Sequence, residues 1–125
     1  MEDNGELKRR DIIERTFTFA LRVVKLCRCL CEGRKVDRAL VRQLIRAGTS
    51  IGANVEEAQS AQSRADFLSK MSIACKEARE THYWLRLISA SEESIVDQMS
   101  DIIQESNEIV SVLTSIVKNT KEKNE

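Results

Sequence analysis

Residues 46–58 read RAGTSIGANVEEA and set two glycines, a threonine, a serine and an asparagine where the pattern on both sides is helical. Either the stretch loops around a phosphate, or it is a helix whose neighbour packs unusually close. A Walker-type phosphate loop follows its last glycine with lysine and then serine or threonine, because backbone N–H groups and that lysine share the phosphate charge. Here Gly52 is followed by Ala53 and Asn54, and no strand pattern precedes it. A spacing of four puts Gly48 and Gly52 one turn apart on one helix face. Each interior glycine costs about 1 kcal/mol of helix stability relative to alanine, a loss that close packing has to offset. The stretch reads as a contact surface.

Outside it, the 125 residues suffice for one domain, which at this length buries roughly two-thirds of its unfolded surface. The chain has no proline, so few positions force a helix break. Aromatics at 4% are too sparse for a β-sandwich core. No apolar run approaches the ~18 residues of a membrane span, and the opening MEDNGELKRR lacks the apolar core of a signal peptide. A cytoplasmic protein with its four cysteines reduced is expected. Basic and acidic residues balance at 20 each, but unevenly: residues 1–50 hold 12 basic and 7 acidic, whereas residues 92–108 hold no basic residue. Oppositely charged segments are expected to meet within the fold or between subunits. The uniformly basic surface of a strong nucleic-acid binder is not present.

Four segments repeat apolar or small residues at steps of three and four, predicting helices at about 8–32, 38–61, 64–89 and 94–119 with frayed polar termini. In helix 1 one stripe is Ile13, Phe17, Ala20, Val24, Cys27 and Cys31; a second is Ile12, Thr16, Phe19, Val23, Leu26 and Leu30. At about 100° per residue these stripes cover roughly half the circumference. That is wider than one bundle requires, so another subunit is expected on the surplus face. Helix 2 buries Leu44, Gly48, Ile51, Val55 and Ala58; helix 3 buries Phe67, Met71, Ala74, Ala78, Thr81, Leu85 and Ile88; helix 4 buries Met99, Ile102, Ser106, Ile109, Leu113 and Ile116.

Gly33 is the expected C-terminal cap of helix 1. Asp37 caps helix 2 beside a Val36–Val41 staple, and Ser63 with Asp66 forms a capping box for helix 3. SASEES, residues 89–94, turns the chain again. Short connections make an all-α, antiparallel up-down-up-down four-helix bundle the economical arrangement, one domain over residues 1–125.

Several constellations bear on chemistry. A polar row on helix 2, Arg46, Ser50, Asn54 (or Ala53) and Glu57, faces Glu77, Glu80 and Trp84 on helix 3. A half-buried carboxylate needs a partner, so Arg46 is expected to bridge to Glu77 or Glu80 as a structural polar network fixing helix register. A di-iron bundle needs two Glu-x-x-His motifs, and the single histidine, His82, excludes it. Cys27 and Cys31 share the core stripe while Cys29 points away, so CRCLC cannot close around one zinc. Cys29 is expected to be exposed and oxidisable. No metal, cofactor, catalytic group or small-molecule substrate is expected. Arg15, Arg22, Lys25 and Arg28 line the polar side of helix 1. They serve either as a solvated face pairing with Asp97, Asp101, Glu105 and Glu108, or as phosphate contacts for RNA or DNA. No aromatics interleave for base stacking.

Two runs carry a family likeness. In LVRQLIRAGTSIGANVEEA, the residues Gln43, Leu44, Arg46, Ala47, Ser50, Ile51, Ala53, Asn54, Val55 and Glu57 fit the pattern Q-L-x-R-A-x-x-S-I-x-A-N-I-x-E. In helix 3, Asp66 and Phe67, then Ile73, Ala74, Lys76, Glu77, Glu80, Thr81, Tyr83, Trp84 and Leu85, fit a second. The chain thereby resembles the four-helix bundle proteins of the 23S ribosomal RNA intervening-sequence family. The resemblance implies a ring-shaped homopentamer, which accounts for the wide arc on helix 1, and implies no enzymatic activity. A related branch, the accessory proteins of diversity-generating retroelements, binds nucleic acid and a reverse transcriptase through a strongly basic pentamer; this chain departs from it in being neutral. Where many members have glycine, Ala58 stands, so helix 2 is expected to run on. The expected function is a non-enzymatic oligomeric scaffold or recognition protein, associating with RNA or a nucleoprotein such as a reverse transcriptase. The alternative is a protein-only adaptor that docks a partner through acidic helix 4 or basic helix 1.

Overall fold

The computed structural model describes residues 4–124, with side chains over residues 10–123. Four helices follow in order: α1 (Asn4–Gly33), α2 (Arg38–Ala58), α3 (Arg64–Ser91) and α4 (Val96–Asn124), the last preceded by a 3-10 turn at Glu93–Ile95. No strand occurs among the described residues. Among the described residues, no helix is long and apolar enough to cross a membrane.

Local chemistry explains the boundaries. Asp37 accepts from the Ala39 N–H at 2.8 Å and opens α2, with Val36 and Val41 both buried beside it. Ser63, in extended backbone, accepts from the Asp66 N–H at 3.0 Å, and Asp66 reaches back to the Gln62 N–H at 3.3 Å. Those reciprocal bonds satisfy donors that a helix start leaves open. They also correct the end of α2, which stops at Ala58 instead of running to 61. Gln59, Ser60 and Ala61 tighten into successive i→i+3 turns, each bond at 3.1 Å, before the chain extends into the Ser63 cap.

The end of α1 also differs from expectation. Gly33 is the last helical residue and has no positive φ; Arg34 takes the left-handed conformation, with φ 53°. Beyond residue 89, α3 continues through Ser91 with Ser89 buried. Helices α1 and α4 extend past residues 8 and 119, to Asn4 and Asn124.

Contacts give the register. Helix α1 meets α2 where an added Cβ on Gly48 would lie 2.9 Å from both Val23 methyls, and one on Gly52 would lie 3.3 Å from the Thr16 carbonyl oxygen. Helices α2 and α3 meet at Arg46 with Glu80 and at Glu57 with Lys70. Helices α3 and α4 meet at His82 with Ser106 and at Cys75 with Thr114. Helices α1 and α4, the neighbours in least contact, meet at Arg15 with Glu105 and at Cys29 with Gln98. In each pair residue numbers rise on one helix as they fall on the other.

The core closes around Phe19, Leu44, Ile51, Met71, Leu85, Ile109 and Leu113, each at most 1% exposed. Thr16 and Thr81, fully buried, donate to the carbonyls of Ile12 and Glu77, so no buried side-chain polar atom among the described residues lacks a partner. Of the two α1 stripes, Ile12, Thr16, Phe19, Val23, Leu26 and Leu30 are all buried. The other is turned outward: only Cys27 is buried, Ile13, Ala20 and Val24 are half-buried, and Phe17 is 63% exposed. Cys31 therefore lies on the surface, not in the core. It lines a depression with Val24, Arg38 and Arg42 at the end of α1.

Two substitutions test these readings by urea melts. Gly48→Leu should overpack against Val23 and destabilise by about 1–3 kcal/mol. An unchanged midpoint would contradict the close approach. Arg34→Gly should raise stability by up to about 1 kcal/mol: left-handed backbone costs a non-glycine residue about 1–2 kcal/mol, partly offset by glycine's greater chain entropy.

Candidate interaction surfaces

The predicted polar network forms in part. Arg46 Nη1 donates to Glu77 at 3.3 Å, Nη2 donates to Glu80, and the Trp84 indole N–H donates to Glu80 at 3.3 Å. Trp84 in turn packs edge-on against Tyr83, with ring centroids 5.2 Å apart. Ser50 and Asn54 do not join. Their side chains donate one turn back along α2, to the carbonyls of Arg46 and Ser50 at 2.7 and 2.8 Å. Glu57 pairs instead with Lys70 at 3.3 Å. The Arg46 side chain is 49% exposed, so the cluster straddles a helix seam in contact with water.

The four cations of α1 separate into different roles. Arg15 makes a two-pronged bridge to Glu105, with Nε and Nη2 at 2.9 and 2.8 Å from the carboxylate, and touches Glu108 at 3.3 Å. These hydrogen bonds hold Arg15 protonated and keep the Glu105 carboxyl below its usual range. Arg15 thus belongs to the α1–α4 seam. Of the four acidic residues expected opposite it, Glu105 and Glu108 are used; Asp97 and Asp101 are exposed and form no ion pair among the described residues. Arg22, Lys25 and Arg28 are exposed and form no salt bridge among those residues, though the charge of Arg22 also helps lower Glu105. Arg28 turns toward α2, where it joins Arg38 and Arg42 around the apolar depression of Val24, Cys27, Val41 and Ile45, about 510 Å³. The expected single strip is therefore split between two sides of α1.

Beside that depression, Phe17 at 63% and Leu21 at 47% exposure continue the apolar face. Burial pushes the Cys27 thiol up to about 11, so it is protonated and inert near neutrality. Cys29 and Cys31 are exposed. Among the described residues, no three His, Cys, Asp or Glu side chains gather as a metal would require.

Sequence reasoning missed a second basic feature: Lys76, Arg79, Lys118 and Lys121 converge on a groove between α3 and α4. Its signal was present as basic pairs three apart in KEAR (76–79) and KNTK (118–121).

His82 bonds to Ser106 at 2.8 Å through Nδ1. Ser106 directs its own hydroxyl proton to the Ile103 carbonyl at 2.7 Å, so Nδ1–H is the donor. Burial first, then Arg86, lowers the His82 pKa below 6.5. The unfolded chain therefore binds a proton that the folded chain resists. Stability should fall as pH drops through about 6.5, with a flatter profile for His82→Gln in urea melts; equal slopes would contradict it. Arg46→Ala should cost no more than about 1 kcal/mol, because the pair is half exposed; a larger loss would show a stronger coupling.

A family model described as 23S rRNA-intervening sequence protein matches residues 8–115. A crystal structure from Bacteroides thetaiotaomicron VPI-5482, described as a protein with unknown function from the S23 ribosomal protein family, is 43% identical with a TM-score of 0.83. The match covers 89% of this chain and 98% of that one. No curated protein matches.

Proposed function

The chain belongs to the 23S rRNA-intervening sequence protein family, and from that premise we propose a non-enzymatic, cytoplasmic scaffold that assembles as a ring of five and recognises RNA or a nucleoprotein. Each copy is one domain, its four helices antiparallel in up-down-up-down order. The observation that carries the assembly is the outward stripe of α1. Phe17 and Leu21, 63% and 47% exposed, extend an apolar surface past Ala20 and Val24 to the depression on α2. Contiguous apolar surface of this kind marks association sites. A ring joins such a face to a different face of the next copy.

Phosphate contact falls to Arg22, Lys25 and Arg28, since Arg15 is committed to Glu105. With zero net charge, binding rests on local cations and is steeply salt-dependent. A second reading has its own support: Asp97 and Asp101 are exposed on α4, a face for docking a basic partner protein without RNA.

Light scattering should give five times the chain mass, and Phe17→Asp with Leu21→Asp should reduce it to that of a monomer; a monomeric parent chain refutes the ring. In anisotropy titrations, Arg22→Glu with Lys25→Glu should weaken RNA binding and flatten its salt dependence. Absence of binding by the parent at low salt refutes RNA recognition and leaves the adaptor.

A further inference from the structure

The groove between α3 and α4, about 470 Å³, is lined by Lys76, Arg79, Lys118 and Lys121 against one carboxylate, Glu122. In a chain of zero net charge this is a concentrated positive field. None of the four cations forms an ion pair among the described residues; Arg79 is held by Thr114 at 3.4 Å, and Thr114 meets the Cys75 thiol at 3.4 Å.

Helix stability does not explain the grouping. The macrodipole favours a cation only in the last turn. That accounts for Lys121 but not for Lys76 and Arg79, mid-way along α3. Like charges three apart on one helix weaken it, and both helices carry such a pair. Facing pairs instead give a ladder of donors that can close on oxyanions from both walls. No aromatic side chain lines the groove, so it offers charge without a stacking platform.

We propose that this groove binds phosphate groups, supplied by the backbone of an RNA strand or by a free polyphosphate; for the RNA source the inference rests on the RNA reading above. The groove is distinct from the α1 cations, so the two surfaces can fail separately.

The test uses the full chain and two probes: sodium pyrophosphate, read by thermal shift at constant ionic strength, and a fluorescent single-stranded RNA, read by anisotropy across salt. Lys76→Gln with Lys118→Gln should abolish the pyrophosphate-induced rise in Tm, whereas Arg22→Gln with Lys25→Gln should leave it intact. If RNA binds, the groove variant should lower the salt slope by about 2, one for each cation removed. Circular dichroism checks that both variants keep their helices. Pyrophosphate binding without RNA binding supports the groove, assigns a free polyphosphate, and refutes RNA recognition. RNA binding with an unchanged slope in the groove variant overturns the RNA source alone where pyrophosphate binding is lost with the groove, and overturns the groove itself where pyrophosphate has no effect. A pyrophosphate effect that survives the groove substitutions, or no binding of either probe, overturns it outright.

Discussion

The close approach of α1 to α2 over Gly48 and Gly52 governs the rest of the molecule. Where another residue would project a Cβ, the Val23 methyls and the Thr16 backbone already occupy the space. Two glycines inside one helix weaken it by about 2 kcal/mol in propensity, and nothing in α2 itself recovers that. The contact does, by burying Ile12, Thr16, Phe19 and Val23 of α1 completely and by fixing which side of α1 faces inward. Once that side is set, the outward position of Phe17, Leu21 and Val24 follows from helix geometry alone.

The remaining seams carry charged and polar links, and the one between α1 and α4 is the sparsest. Arg15 with Glu105 ties α1 to α4, and Arg46 with Glu80 ties α2 to α3. Each bridge is partly wet, so its value lies more in register than in stability. The positive first half and negative second half of the chain meet at the α1–α4 seam, where Arg15 bridges to Glu105 and Glu108. Among the cations without a salt bridge, Arg22, Lys25 and Arg28 lie on α1 and Lys76, Arg79, Lys118 and Lys121 line the α3–α4 groove. Neutrality of the whole conceals this segregation.

Much of the fold was legible because each helix carries its own punctuation. Asp37, Ser63 and Asp66 are capping residues whose chemistry is local, and the three-and-four spacing selects the buried face directly. The glycine pair was legible for the same reason, since a one-turn spacing in a helix has few other uses. What sequence could not supply was the outcome of competition. Glycine at position 33 favours the left-handed conformation, yet the helix uses Gly33 and passes that conformation to Arg34. Ser50 and Asn54 were free to bond across the seam or back along their own helix, and the nearer carbonyls won. The extent of α2 depended on the Ser63 cap downstream, and Cys31 on how far α2 reaches along α1. The α3–α4 groove needs residues some forty positions apart to converge, a juxtaposition no single helix pattern contains.

Val23 fits into the gap left by Gly48, and a double-mutant cycle measures that fit directly. Gly48→Ala gains about 1 kcal/mol of helix propensity but must displace the stiff, branched Val23; Val23→Ala removes the obstruction at the cost of a cavity. If the contact is as close as described, the two changes couple: Gly48→Ala is markedly better tolerated together with Val23→Ala than in the parent chain, by about 0.5–3 kcal/mol. Strict additivity of the two unfolding free energies would mean that the helices do not meet there, and would contradict the packing from which the outward face of α1 is derived.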